Sequence, residues 1–195
     1  QLSNVAVDSI ITMICTANQI EKSDIKVHII ESDEINAYAM PDGHLVINTA
    51  LITASESPEE LAGVIGHEIA HIQLDHIMQK LINPVGLSVL IAATTGQSGS
   101  TQISELVKLV SSTAFDRGLE KEADLKSIDY LVNASINPTP FADFMAKLAE
   151  KESDVSGYLE WVSTHPASEE RSEYLRQYIA EKSFTPMPHV LHETT

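Results

Sequence analysis

Cysteine is nearly missing from this chain. Cys15 stands alone, so no intramolecular disulfide can form and cysteine usage does not settle the redox compartment. Within an apolar helical pattern, Cys15 reads as a small core residue. Aromatic residues are also few, at 5% of the sequence, and together with abundant helix formers this leans the fold towards helix. Positive charge is scarce: 12 Lys and Arg stand against 28 Asp and Glu, a formal net charge of -16. So acidic a surface repels phosphate backbones, which excludes nucleic acid as a partner, and it does not dock on anionic lipid by charge alone. No long hydrophobic run is present. The longest, Val85 to Ala93, is broken at Ser88 and followed by Thr94-Thr95-Gly96, well short of the roughly 20 residues that span a bilayer. It reads as a core helix or a lid, with a membrane-touching segment as the sharper alternative. The chain opens on Gln1 without an initiator Met, a basic stretch or a cleavage site, and reads as mature or trimmed.

What is present suffices for one core: 195 residues, 43% of them hydrophobic, predict a single domain over residues 1–183. The remainder, 184–195, is an unassigned tail holding two prolines, His189 and His192. Leu2, Val5, Ile10, Met13, Ile14 and Ala17 recur at helical spacing. Lys26 to Ile30 alternates like a strand with His28 on its polar side. Asn36 to Met40 and His44 to Asn48 predict two more strands around the turn Pro41-Asp42-Gly43. Ser57-Pro58-Glu59-Glu60 is a capping box opening a helix expected to reach about Lys80, before Asn83-Pro84. Gly96 to Ser100 reads as a loop. Further helices are expected over Ile103 to Asn133, with Ser111-Ser112 as a candidate break, after a Thr139 cap, and after His165-Pro166. The fold class is α+β, mostly helical with a small three-stranded sheet.

The chemistry centres on His67-Glu68-Ile69-Ala70-His71. Histidines four apart on a helix differ by about 40° in azimuth and about 6 Å in rise, so both imidazoles can close on one ion, as tetrahedral zinc prefers. Glu68 lies beside that ion and can take a proton from a water there. Leu61, Val64, Ile65, Ile69 and Ile72 make the helix apolar on most sides, and a buried unpaired His pair would be costly. Gly63 and Gly66 each cost a helix about 1 kcal/mol relative to Ala, a cost that close approach by a neighbouring element would offset. A third ligand is needed. His76 lies about 140° round a continuous helix from His71 and is read as a surface residue or one standing behind a ligand, not a ligand itself. The metzincin spacing is absent. In Glu120-Lys121-Glu122-Ala123-Asp124, Glu120 or Glu122 could ligate while Asp124 accepts the second N–H of a zinc histidine.

These segments together resemble a known family. Asn36-Ala37-Tyr38-Ala39-Met40-Pro41, Gly43, the Ser57 to Leu61 helix start and His67 to His71 are similar to the integral-membrane and periplasmic gluzincins, the group of the CAAX prenyl proteases, HtpX and the BepA/Oma-type proteases. Arg117 to Asp124 resembles their Arg-x-x-Glu-x-x-Ala-Asp element, which selects Glu120 over Glu122. Thr164-His165-Pro166 with Arg171 resembles their His-Pro-x4-Arg element. The likeness runs from Asn36 to Arg171, and His76 and the lack of a spanning segment fit the soluble BepA/Oma-like branch. That branch is largely periplasmic in bacteria and works at the outer membrane; the helical repeat domain of its BepA-like members is missing here.

The resemblance implies a zinc endopeptidase with one Zn2+ per chain held by His67, His71 and Glu120, Asp124 behind them, and Glu68 as base. It makes His165 functional in one of two ways. His165 either donates to the oxyanion with Arg171 assisting, or binds zinc as a fourth ligand and holds the enzyme off, since catalytic zinc needs an open position. A polypeptide substrate is expected, from misfolded or stalled envelope or membrane proteins, with outer-membrane assembly machinery as a further partner and the periplasm as location. Strand His44 to Asn48, if it is the sheet edge, could pair with that peptide. The alternative is a chaperone or assembly factor whose zinc is permanently four-coordinate.

Overall fold

A computed structural model of the chain describes residues 2–82, 108, 114–150 and 158–185. The run Val85 to Ala93, the loop Gly96 to Ser100, the stretch from Ile103 to the Ser111-Ser112 break, His189 and His192 lie outside the described residues. In chain order the elements are α1 (Leu2–Ala17), β1 (Lys26–Ile30), β2 (Ala37–Met40), β3 (His44–Asn48), α2 (Thr49–Ala54), α3 (Pro58–Gln73), α4 (His76–Ile82), α5 (Arg117–Asn133), α6 (Thr139–Glu150), α7 (Leu159–Thr164) and α8 (Glu169–Glu181). The fold is α+β, mostly helical around one small mixed sheet.

The sheet order is β1-β3-β2, with β1 parallel and β2 antiparallel to β3. The strand His44–Asn48 is therefore central and cannot pair with a peptide; both of its edges are taken. The cause is the Pro41-Asp42-Gly43 turn, where Asp42 (φ 61°) and Gly43 (φ 74°) are left-handed. It folds β2 tightly back onto β3, leaving β2 with the free edge. A Cβ on Gly43 would stand 2.0 Å from the Asp24 carbonyl oxygen, so the turn admits only glycine there.

Helix α3 is the axis of the core, and every residue from Glu60 to His71 is buried. Ser57 Oγ accepts from Glu60 N at 3.1 Å, and Glu60 Oε1 accepts in return from Glu56 N at 3.3 Å. Against α3 pack α1 (Ile14), α5 (Ala123, Ser127, Ile128) and α6 (Phe141, Phe144), all buried. A Cβ on Gly63 would come 2.4 Å from that of Phe141, so this glycine lets α6 approach. Gly66 has only ordinary neighbours, the nearest being Ser127 Cβ at 3.7 Å. The helix does not reach Lys80: it stops at Gln73, and Asp75 turns left-handed (φ 55°) before α4 restarts at His76. Thr139 is the first residue of α6, and the cap is Asn137, whose Oδ1 accepts from Thr139 N.

Candidate metal centre

Helical spacing puts His67 and His71 on the same face of α3, directed at α5, and their Nε2 atoms lie 3.0 Å apart. Asp116 caps α5 through Gly118 N and sets Glu120 one turn in, so its carboxylate meets the pair: Oε1 is 3.1 Å from His71 Nε2. His165, just after α7, adds Nδ1 at 3.2 Å from His67 Nε2 and 2.9 Å from Glu120 Oε1. These four buried side chains form the one group able to hold a metal ion among the described residues.

Each imidazole has its other nitrogen tied to a separate partner. His67 Nδ1 lies 2.9 Å from Asp124 Oδ1. His71 Nδ1 faces His76 Nδ1 at 3.0 Å, and His76 Nε2 in turn meets Glu122 Oε2 at 3.2 Å. His165 Nε2 lies 3.3 Å from Glu68 Oε1. With those nitrogens as the N–H ends, three ring lone pairs and a carboxylate oxygen converge on one point with no proton between them. Such a set repels itself unless a cation sits among it. Tetrahedral zinc at about 2.0–2.1 Å from each ligand would hold them roughly 3.3 Å apart, close to the separations seen. The residues fit a metal ion.

The field agrees. Burial alone would depress His67, but Glu120 and Asp124 outweigh it and raise its pKa to about 9. Burial would likewise raise Glu120, yet His165, His67 and Arg171 hold its carboxyl well below the usual range. Asp124 behaves the same way, against burial, and is lowered to about 2 by Arg171 and His67. His71 is pushed well down by burial and by its cationic neighbours. A cation is favoured at the centre of this group, and the carboxylates stay charged.

Arg171 does not stand at an oxyanion position. Its Nε and Nη2 each donate to the Asp124 carboxylate at 2.8 Å, and Nη1 reaches Glu120 Oε2 and the Pro166 carbonyl, both at 2.8 Å. All three guanidinium nitrogens are engaged behind the ligands, an arrangement that positions Asp124 and Glu120. Tyr174 OH donates to Asp124 as well. His76 is not at the surface: the break at Asp75 swings it under His71, where it is fully buried.

Glu68 lies on the other side of the cluster, fully buried. Ala39 N, on the free edge of β2, donates to its Oε2 at 3.1 Å, and the Trp161 indole N–H donates to its Oε1 at 3.3 Å. Phe115 stacks on His71 (centroids 4.0 Å apart), and Lys80 Nζ lies 3.9 Å from the centroid of the Phe115 ring. Burial pushes the Lys80 pKa down to about 8. Phe115 N also donates to Thr164 O at 3.0 Å, fastening the end of α7. Phe115, Trp161 and Tyr174 were not foreseen from sequence. Tyr174 had a signal, lying three after Arg171 on one helix face; Phe115 and Trp161 had none but their proximity to the motifs.

A sequence model described as peptidase family M48 matches residues 1–179. The beta-barrel assembly-enhancing protease of Yersinia pestis is 29% identical over 171 residues, 82% of this chain and 35% of its own length. The mitochondrial metalloendopeptidase OMA1 of Bos taurus is 28% identical over 194 residues, 90% of this chain and 37% of its own. Metalloprotease LoiP of Escherichia coli (strain K12) is 31% identical over 166 residues, 82% of this chain and 64% of its own. The chain thus spans about a third of the first two relatives and just under two thirds of the third.

Proposed function

This chain belongs to peptidase family M48, and from that membership we propose that it is a zinc-dependent endopeptidase whose site rests in a closed state held by His165. The observation that carries the reading is the convergence of His67 Nε2, His71 Nε2, Glu120 Oε1 and His165 Nδ1 with Glu68 Oε1 only 3.3 Å from the far side of the His165 ring. His67, His71 and Glu120 would hold the ion. When bound, it supplies Lewis-acid polarisation of a peptide carbonyl and acidifies water. Glu68 takes the proton from the attacking water and delivers it to the leaving amine. Asp124 and His76 fix the ligand rings, and Arg171 holds Asp124 and Glu120 as carboxylates. An extended peptide would add to the free edge of β2, beside the Ala39 N–H that now binds Glu68.

His165 fills the position a substrate carbonyl or water needs, so turnover requires the His165 segment to move. Both of its ring nitrogens already belong to the closed cluster, which supports the latch over the oxyanion role. The substrate class is unfolded or stalled polypeptide of membranes or the cell envelope. The name of the Yersinia pestis relative, a beta-barrel assembly-enhancing protease, supports an envelope location, the periplasm, and a partner in outer-membrane assembly. Among the described residues no helix is long and apolar enough to cross a membrane.

Closure by His165 and two occupied Glu68 oxygens also favour a second reading, a chaperone or assembly factor with a permanently four-coordinate metal. One experiment separates them: metal content and cleavage of an unfolded protein by wild type, His165→Ala and Glu68→Gln. The endopeptidase reading expects about one zinc per chain, cleavage raised in His165→Ala, and a loss of at least about a hundredfold in Glu68→Gln. A large loss in His165→Ala assigns it to the oxyanion. No cleavage by any metal-loaded variant, with client binding intact in Glu68→Gln, establishes the chaperone.

A further inference from the structure

Trp161 is the only tryptophan of the chain. It lies on α7 and is fully buried. The indole lies flat on the His165 ring, with centroids 4.7 Å apart and planes at 21°, and is flanked by Phe144 at 5.5 Å and His67 at 5.9 Å. A buried tryptophan needs an acceptor for its N–H, and a backbone carbonyl normally serves. Here the acceptor is Oε1 of Glu68, the carboxylate that must take a proton for hydrolysis. The other oxygen of Glu68 accepts from Ala39 N on the free edge of β2.

The indole therefore sits where three things meet: the base, a metal-binding histidine, and the strand edge that an extended peptide would follow. A peptide lying along β2 with its scissile carbonyl beside Glu68 would run past the indole, which bonds to the same carboxylate as the strand edge. The walls of the space are the apolar Phe144 ring on α6 and the His67 ring on α3, which hold an indole between them. What keeps Trp161 there is a short six-residue helix tied by few polar anchors: Phe115 N to Thr164 O at 3.0 Å, Tyr158 OH to Ala54 O at 3.3 Å, and Arg171 to Pro166 O at 2.8 Å.

We propose that Trp161 occupies the enzyme's own side-chain subsite, and that this cradle takes a bulky aromatic or branched apolar residue flanking the cleaved bond when α7 withdraws. The proposal rests on the role given to Glu68 above and adds the substrate class. Large apolar side chains are buried in folded proteins and exposed in unfolded ones, so a subsite of this kind selects chains that have lost their fold. Trp161 is then a stand-in for substrate as well as a cover for the base.

The test uses metal-loaded Glu68→Gln and tryptophan-free peptides differing at one position: Phe, Leu, Ala or Asp. Binding is followed by anisotropy of a terminal label, and Trp161 emission is recorded in a parallel titration with unlabelled peptide. The expected result is that Phe and Leu peptides bind about tenfold or more tighter than the Ala peptide, while Trp161 emission shifts to the red and becomes open to acrylamide. Binding that ignores the varied residue, or saturates with Trp161 still shielded, overturns the proposal. If no peptide binds Glu68→Gln, Trp161→Gly decides: the Phe peptide must bind it and free indole must compete. No binding there, or indole entering without competing, makes Trp161 a core residue only. The hydrolase reading fails separately, by absence of cleavage in metal-loaded wild type and His165→Ala alike.

Discussion

His76 shows how much one side chain can do without touching the ion. Fully buried, it meets His71 Nδ1 at 3.0 Å and passes its other nitrogen to Glu122 at 3.2 Å. Glu122 is mostly exposed and anchors this relay at its solvent end. His76→Ala removes the acceptor that fixes the His71 tautomer and leaves its N–H buried without a partner. Metal affinity should fall about 10–100-fold, measured by competition with a chromophoric chelator, while the far-ultraviolet circular dichroism stays as in wild type. An unchanged affinity would show that His71 is oriented by packing against Phe115 alone. The grouping of His67, His71 and Glu120 was readable, the histidines from their helical spacing and Glu120 over Glu122 from the family resemblance. The place of His76 was not readable, since it depends on a left-handed residue at Asp75 that no spacing rule reveals. The contacts of Arg171 were hidden for a related reason: its motif gives its presence, but only the packing of α8 on α5 brings it to Asp124 and Glu120.

Between elements, the two glycines of α3 divide in their consequences. Both interrupt a helix that carries the metal ligands, and both suggest close approach by a neighbour. Only Gly63 has it, against Phe141, while Gly66 has space around it. Gly63→Ala should force α6 away and cost about 1–3 kcal/mol. Gly66→Ala should be neutral or stabilise by up to about 1 kcal/mol through helix propensity. Urea denaturation of the two variants beside wild type checks both signs at once, and equal losses would mean that the helix tolerates neither residue for a reason other than contact. The strands were legible from alternation, but their order was not. Alternation gives a strand two faces and says nothing about which neighbour lies on each edge, so β3 looked free when it is central.

At the scale of the whole molecule, the site joins pieces that are remote in the chain. The histidines of α3 stand 98 residues from His165, counted from His67, and Glu120 comes from a third segment. An ion bound by all of them fastens α3, α5 and the end of α7 together, and ligand binding to the native state alone stabilises by mass action. Removing the metal with a chelator should lower the melting temperature markedly. The loss corresponds to about 4 kcal/mol where free metal exceeds its dissociation constant a thousandfold. Calorimetry before chelation, after it, and after zinc is restored measures this; identical melting curves would show that the four side chains hold together without an ion. Sequence offered His165 either as a fourth ligand or as an oxyanion donor; its place beside His67 and Glu120 depends on where a six-residue helix comes to rest.

That wide separation along the chain also sets an order in time. Ribosomes deliver residues from the N-terminus, so His67, Glu68, His71 and Glu120 emerge well before Trp161 and His165. Until the later segment follows, a nascent chain holds three ligands and an uncovered base. On the latch proposed above, the segment that closes the site arrives after the residues it closes over, and synthesis passes through an armed form first.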